Sequence, residues 1–227
     1  MRYENIKEGI FLSRPNRFIA EVEIDGKIEI CHVKNTGRCK ELLVAGAKVF
    51  VQGSDNFLRK TKYDLISVYK DGNLFNIDSM APNKVFGEFI ERGGYFGTPS
   101  FVKPECRYKN SRFDFYIETS GRKIFAEVKG VTLEEDGVFM FPDAPTERGV
   151  KHLDELKDCV KEGFEGYAVF IVQANEAKCF MPNRKTHKAF ADALLDAEKN
   201  GVKILCFSCN VAEDEITLKD AIKVILR

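Results

Sequence analysis

Asp114, Glu127 and Lys129 are the residues whose types and spacing point most directly to chemistry. They sit in the run Ser111-Arg112-Phe113-Asp114-Phe115-Tyr116-Ile117-Glu118-Thr119-Ser120-Gly121-Arg122-Lys123-Ile124-Phe125-Ala126-Glu127-Val128-Lys129, which reads as two strands joined at Ser120-Gly121. Alternation puts Phe113, Phe115 and Ile117 on one face of the first strand and Arg112, Asp114 and Tyr116 on the other; Glu127 and Lys129 share a face of the second. A two-residue turn makes paired residue numbers sum to 241, so Asp114 is expected across from Glu127 and Arg112 across from Lys129. Opposed carboxylates on neighbouring strands destabilise a sheet unless something compensates them, and a divalent cation does so. Asp114, Glu127 and the carbonyl of Val128 offer the hard oxygen ligands that Mg²⁺ or Mn²⁺ prefers. Lys129 beside them would orient or help deprotonate an attacking water, or stabilise charge on a phosphate. A solvated hairpin face would also carry Asp, Glu and Lys. Both strands otherwise look buried, however, and an uncompensated acid pair is costly to bury.

The pattern Asp-x12-Glu-x-Lys, placed after a helix, resembles the core of the PD-(D/E)xK nuclease superfamily. Glu88 on that preceding helix matches the helical acid such nucleases often contribute, with Glu91 as the nearby rival and Glu105 a further one. Downstream, Pro142-Asp143-Ala144-Pro145-Thr146 leads into a helix that Asp143 or Thr146 is able to cap, with Val150, Leu153, Leu156 and Val160 as its core stripe. Arg148, Lys151 and His152 form a cationic strip near its N-terminus, where unpaired amides already favour an anion. They read either as a phosphate contact or as an ordinary solvated face with His152 on the surface.

Longer motifs extend the resemblance. His32-Val33-Lys34-Asn35-Thr36-Gly37-Arg38, Ser111-Arg112-Phe113-Asp114-Phe115, Glu127-Val128-Lys129-x-Val131-Thr132-Leu133 and Phe141-Pro142-Asp143-Ala144-x-Thr146-x-Arg148-Gly149-x-Lys151-His152-Leu153 together resemble the sugar fermentation stimulation protein A family over essentially the whole chain. The resemblance implies an N-terminal OB-like barrel joined to a PD-(D/E)xK-like domain. It also implies DNA binding and a regulatory link to maltose or other sugar metabolism. Asp114, Glu127 and Lys129 stand intact within it.

The elements that must position these residues follow from periodicity. Phe18, Ala20, Val22 and Ile24 alternate with Ile19, Glu21 and Glu23, and Asp25-Gly26 turns the chain back through Ile28, Ile30 and His32. Further short strands are expected at 48–52, 65–69 and 74–77, with a turn at Asp71-Gly72-Asn73 and a brief helical piece at 38–43. After about residue 80, Val85, Phe86, Phe89 and Ile90 fall at helical spacing until Gly93-Gly94. Strands at 101–108, 111–118, 124–131, 167–173 and 202–208 then alternate with helices at 146–162 and 187–200. The expectation is an α+β to α/β protein: residues 1–80 an OB-like barrel, residues 81–227 a PD-(D/E)xK-type domain around a central mixed sheet.

Charge narrows the partner. The 35 basic and 35 acidic residues cancel, and neither half is basic, so net charge does not draw this chain to a polyanion; any such binding must be local. Lys34, Asn35 and Arg38 with His32 and Lys40, then Arg59-Lys60-Thr61-Lys62 and Arg14-x-x-Arg17, supply the local groups on the barrel; Arg107 and Arg112 supply them beside the acidic hairpin. DNA is the expected partner, with RNA open and the oligomeric state unread. Seven scattered cysteines read as reduced core thiols, Cys206-x-x-Cys209 included. With neither a signal-like start nor a long apolar run, a cytoplasmic location off the membrane is expected. The functional readings are a metal-dependent phosphodiesterase on nucleic acid, a non-catalytic DNA-binding regulator, or a hydrolase or sensor of small phosphorylated metabolites.

Overall fold

Four hairpins turn on two-residue loops in which both residues have positive φ: Asp25-Gly26 (52° and 73°), Asp71-Gly72 (50° and 78°), Ser120-Gly121 (48° and 77°) and Asp136-Gly137 (51° and 82°). This is the type I′ geometry that matches strand twist, and it explains why Gly occupies the second position each time. The computed structural model describes residues 1–35, 37–56, 58–109 and 111–227.

The first six strands are β1 (Ile6–Asn16), β2 (Ile19–Ile24), β3 (Lys27–Val33), β4 (Lys48–Gly53), β5 (Tyr63–Lys70) and β6 (Asn73–Asn76). They run β3-β2-β1-β4-β5, and β3 pairs with β5 in parallel to close a five-stranded barrel, with β6 added to β5. Closure removes the free edges that a small sheet would otherwise expose. Strand β1 escaped the sequence reading: Arg14-Pro15-Asn16 breaks its alternation, and its pairing with β2 is bulged between Phe11 and Asn16. The expected helical piece at 38–43 is instead a set of turns. Cys39 sits at φ 45°, and a left-handed residue there stops a helix from propagating.

The rest of the chain begins with α1 (Ala81–Glu91), followed by β7 (Phe101–Tyr108), β8 (Ser111–Thr119), β9 (Arg122–Val131), β10 (Leu133–Glu135), β11 (Val138–Phe141), α2 (Glu147–Lys161) and β12 (Glu165–Val172). It ends with β13 (Cys179–Pro182), α3 (Lys188–Lys199), β14 (Lys203–Val211), β15 (Ile216–Ala221) and β16 (Lys223–Val224). The central sheet runs β15-β14-β12-β9-β8-β7, with β9, β12 and β14 parallel and the outer strands antiparallel, which is the mixed α/β arrangement expected. Strands β10, β11, β13 and β16 form a small second sheet that periodicity did not reveal, each being four residues or shorter.

Helix α1 packs Val85, Phe86 and Ile90 on one face of the central sheet, beside Phe115, Ile117 and Val169, and Tyr3, Phe50, Ile66 and Leu74 from the N-terminal region join that cluster. Helices α2 and α3 cover the other face with Leu153, Leu156, Phe190 and Leu194, in an apolar cluster continuous with the barrel interior at Val22, Val51 and Phe75. Both cores therefore draw on both halves of the chain. No helix among the described residues is long and apolar enough to cross a membrane. Cys206 and Cys209 are buried in β14, and burial pushes the Cys209 thiol up to about 12.

Candidate functional site

The β8–β9 hairpin holds the expected register. Phe115 pairs with Ala126, Tyr116 with Phe125, Ile117 with Ile124 and Thr119 with Arg122, each pair summing to 241. The ladder ends there, one pair short of Asp114 and Glu127. On the other side of β8, pairing with β7 omits Asp114 and Glu105, and Glu105 has φ 53°. The break changes which way the side chains point. Phe113 packs on Phe125 on the α2 side, with ring centroids 5.5 Å apart, whereas Phe115 packs on Phe86 of α1 at 5.5 Å. The expectation that Phe113, Phe115 and Ile117 share a face is thus corrected: a local irregularity at Asp114 lifts its carboxylate out of the strand pattern.

Asp114 is held by two donors. Its Oδ2 accepts the Val128 backbone N–H at 2.7 Å, and its Oδ1 accepts Asn83 Nδ2 at 2.8 Å. Asn83 lies in the first turn of α1, three residues before Phe86, so the contact between Phe86 and Phe115 aims it at Asp114. Sequence reasoning missed Asn83; its signal was this i, i+3 placement beside an aromatic facing the hairpin. Glu88, expected as the helical acid, is engaged elsewhere: its Oε2 binds the Met1 amine at 2.7 Å. Glu105 pairs with Arg112 at 2.6 Å on the surface.

Glu127 is 4% exposed. Its Oε1 contacts both Lys129 Nζ and His152 Nδ1. Arg148 Nε donates to His152 Nε2 at 3.3 Å, so Nε2 is the acceptor nitrogen, and this network assigns the proton to Nδ1, which donates to Glu127. His152 is 4% exposed; it is not a surface residue but the buried link between Glu127 and Arg148. Glu127 Oε2 is buried and has no hydrogen-bond partner among the described residues. A buried carboxylate oxygen left unpaired costs about 1–3 kcal/mol or more, and a cation is the partner that relieves it. The donor set fits a hard divalent ion, with Asp114, Glu127 Oε2 and the Val128 carbonyl as the groups that would hold it.

The two carboxyls diverge electrostatically. Burial, and then the charge of Glu127, push Asp114 above the ordinary carboxylate range, against its hydrogen bonds from Val128 and Asn83. Burial also opposes ionisation of Glu127, but the His152 hydrogen bond and the charge of Lys129 outweigh it and hold that carboxyl below the usual range. A close pair of acids driven in opposite directions marks sites built for chemistry more often than plain structure.

Cationic groups gather in two places. A cleft of about 390 Å³ beside the carboxylates is lined by Arg107, Ser111, Arg112, Arg148, Lys151 and His152. A groove of about 380 Å³ on the barrel is lined by Arg14, Arg17, Arg38, Lys40 and Leu43 among others. The barrel groove is stapled by Arg14, whose guanidinium donates to the carbonyls of Arg17, Asn35, Gly37 and Arg38 at 2.6–2.9 Å. Asn35 closes the loop by accepting Gly37 N–H at 2.7 Å; Thr36 of the same motif lies outside the described residues. Lys34 is not part of the groove. It pairs with Asp64 at 3.2 Å and Asp78 at 3.6 Å, two buried carboxylates, and hydrogen bonding from Arg59 together with the Lys34 charge holds Asp64 below the usual carboxylate range despite burial; His32 also reaches Asp64.

Comparison with known proteins follows the same division. The profile described as "Sugar fermentation stimulation protein RE domain" matches residues 80–215, and "SfsA N-terminal OB domain" matches residues 12–77. The chain belongs to the sugar fermentation stimulation protein family. A homologue from Desulfitobacterium hafniense is 62% identical over 99% of this chain and 98% of its own length, and one from Clostridium beijerinckii is 57% identical over 100% of both. Among solved structures, SfsA of Pyrococcus furiosus in complex with Ca²⁺ is 29% identical, has a TM-score of 0.87 and spans 99% of this chain and 98% of that one. Members of the family in distant organisms thus share this two-part architecture.

Proposed function

We propose that this protein is a divalent-metal-dependent phosphodiesterase acting on DNA, with Asp114 and Glu127 as metal ligands and Lys129 as the residue that works on the attacking water. The observation that carries the reading is the unpaired, buried Glu127 Oε2 beside an Asp114 carboxylate already fixed by two donors. The Ca²⁺ in the structure of the Pyrococcus relative supports it. A bound Mg²⁺ or Mn²⁺ supplies Lewis-acid polarisation of a phosphoryl oxygen and eases deprotonation of water. The chain supplies the rest. His152 keeps the Glu127 carboxylate in one orientation, and Asn83 and the Val128 N–H do the same for Asp114. Lys129, on an ordered strand, donates to oxygen that gains negative charge in the transition state. Arg107, Arg112, Arg148 and Lys151 hold the flanking phosphates as exposed charges in a cleft, so the neutral chain still binds a polyanion locally.

Incubating the protein with single- and double-stranded DNA or RNA and Mn²⁺, in parallel with Lys129→Ala, tests this. The wild type is expected to cleave and the variant to lose at least a hundredfold in rate; equal background cleavage by both refutes catalysis. The separate groove at Arg14, Arg17, Arg38 and Lys40 favours a second reading, a non-catalytic DNA-binding regulator, possessing a nucleic-acid surface that does not need the metal centre. It requires metal-independent binding that survives Asp114→Ala and falls steeply with salt.

A further inference from the structure

A crevice of about 180 Å³ opens where the barrel loop meets the central sheet, lined by Asn35, Gly37, Gly130, Met140, Asp143 and Gln173 among others. It lies at the C-terminal ends of parallel β9 and β12, where Val131 pairs with Val172, the position at which open α/β sheets take ligands. Gly130, the residue after Lys129 on β9, lines it and faces Pro82 and Gln173, so the crevice lies at the same end of the strand as the proposed catalytic lysine. A Cβ on Gly130 would stand 2.5 Å from Gln173 Oε1 and 2.7 Å from Pro82 Cγ. On the rim, a Cβ on Gly37 would stand 2.5 Å from Asp143 Oδ2. Both glycines let these side chains lie directly against the backbone, and a Cβ at either position would push the crevice's polar groups aside.

The polar groups around this space have a defined sense. Gln173 is 2% exposed, and its Nε2 donates to Asn76 Oδ1 at 3.0 Å and to the Asp78 carbonyl at 2.9 Å. That fixes the amide and turns Oε1 toward Gly130, where no described residue donates to it. Asp143 uses Oδ2 to accept the Arg38 N–H at 3.1 Å, and no described residue donates to its other oxygen. Asn35 accepts Gly37 N–H through Oδ1, which leaves its Nδ2 as a donor. Val131, Leu133, Met140 and Phe141 supply apolar walls. The volume is well below the roughly 300–1,000 Å³ of a drug-sized site and suits one ring system.

Two acceptors and one donor beside apolar walls complement the Watson–Crick edge of guanine, which presents two adjacent N–H donors and one carbonyl acceptor. Adenine, cytosine and thymine each present at most one N–H donor on that edge. We propose that the crevice receives one guanine of the bound strand, unstacked beside the phosphate at Lys129, and so makes the protein guanine-selective at that position. This rests on the nucleic-acid reading of the neighbouring centre.

The test uses the full-length protein in EDTA, which separates binding from cleavage, and fluorescence anisotropy of labelled oligothymidines carrying one central guanine, one inosine, or neither. Inosine keeps the ring N–H and carbonyl and lacks only the amino group. The wild type is expected to bind the guanine strand at least tenfold more tightly than either of the others. Asp143→Ala should bring that ratio to within twofold. Met140→Trp, which blocks the crevice without removing a polar group, should do the same should Asp143→Ala prove unable to fold. Equal affinity for the three strands, or a preference that survives in a folded variant, overturns the proposal. Cleavage with no guanine preference would sink the pocket alone, and guanine preference with no cleavage would sink the catalytic reading alone.

Discussion

His152→Ala tests the interaction that organises the centre. The imidazole is buried, gives its Nδ1 proton to Glu127, accepts from Arg148 and packs edge-on against Phe113 at a centroid distance of 6.3 Å. A hydrogen bond to a charged, buried acceptor contributes about 1.5–3 kcal/mol, and loss of an aromatic contact adds about 0.5–1 kcal/mol. The expected destabilisation is about 2–4 kcal/mol. For a chain of this length each kcal/mol moves the melting temperature by about 2–4 °C, so a 3 kcal/mol loss corresponds to a fall of about 6–12 °C. Urea unfolding in EDTA measures it, and a cycle with Glu127→Gln isolates the pair, whose coupling should exceed about 1.5 kcal/mol. Metal provides the second readout. Mn²⁺ at 100 times its dissociation constant should stabilise the wild type by about 2.7 kcal/mol, and His152→Ala, which leaves Glu127 held by Lys129 alone, should gain less. A coupling below about 0.5 kcal/mol, or full retention of the Mn²⁺ stabilisation, would show that the His152 contact does not orient Glu127.

Three further outcomes are expected. Glu165 is gripped by Arg122 at 2.6 and 2.8 Å and by Lys203 at 2.7 Å, and hydrogen bonding from Arg122 is the largest cause that lowers its carboxyl to about 2. Because the folded value is depressed, this group stabilises the fold above the unfolded value near 4.5 and the gain is lost as pH falls toward 2. Discounted for partial solvent exposure, about 1–2 kcal/mol should separate wild type from Glu165→Gln in urea unfolding at pH 6, and the gap should close by pH 2; a gap that persists at pH 2 contradicts the assignment. Gly130→Ala, forced against Gln173 and Pro82, should destabilise by about 1–3 kcal/mol in the same assay, and a neutral result would mean that the crevice floor yields. Arg148→Ala with Lys151→Ala should reduce the slope of log affinity for duplex DNA against log salt by about 2, since each phosphate contact contributes about 0.9; an unchanged slope would place the DNA elsewhere.

Much of this arrangement was legible because it is local. Asp25-Gly26, Asp71-Gly72 and Ser120-Gly121 announce two-residue turns, and from the last of these the 241 register follows by counting. The helix cap was legible too: Thr146 accepts Gly149 N–H at 3.1 Å. What escaped depends on contacts far apart in sequence. Strand β1 is defined by partners on β2 and β4 rather than by its own pattern. His152 looked like surface because helical spacing groups it with Arg148 and Lys151, whereas only the β9 strand opposite shows that it turns inward to Glu127. The reversal at Asp114 needs the positive φ of Glu105 on a neighbouring strand, which no periodicity encodes. Arg14 read only as a local charge for a polyanion because its four partners are backbone carbonyls, and these leave no trace in side-chain chemistry.

The two apolar clusters, each built from residues on both sides of position 80, have a mechanical consequence. Phe75 of the barrel strands stacks near Phe139 of the small sheet, with centroids 5.9 Å apart, and Asn76 N–H binds the Gln173 carbonyl at 2.8 Å. Among the described residues, apolar packing and backbone hydrogen bonds are shared across the junction, which ties the span from Arg38 to Glu127 to the folding of both halves. In the nucleic-acid reading proposed above, the molecule is a caliper set at one opening, and a strand laid along it must bend to the jaws.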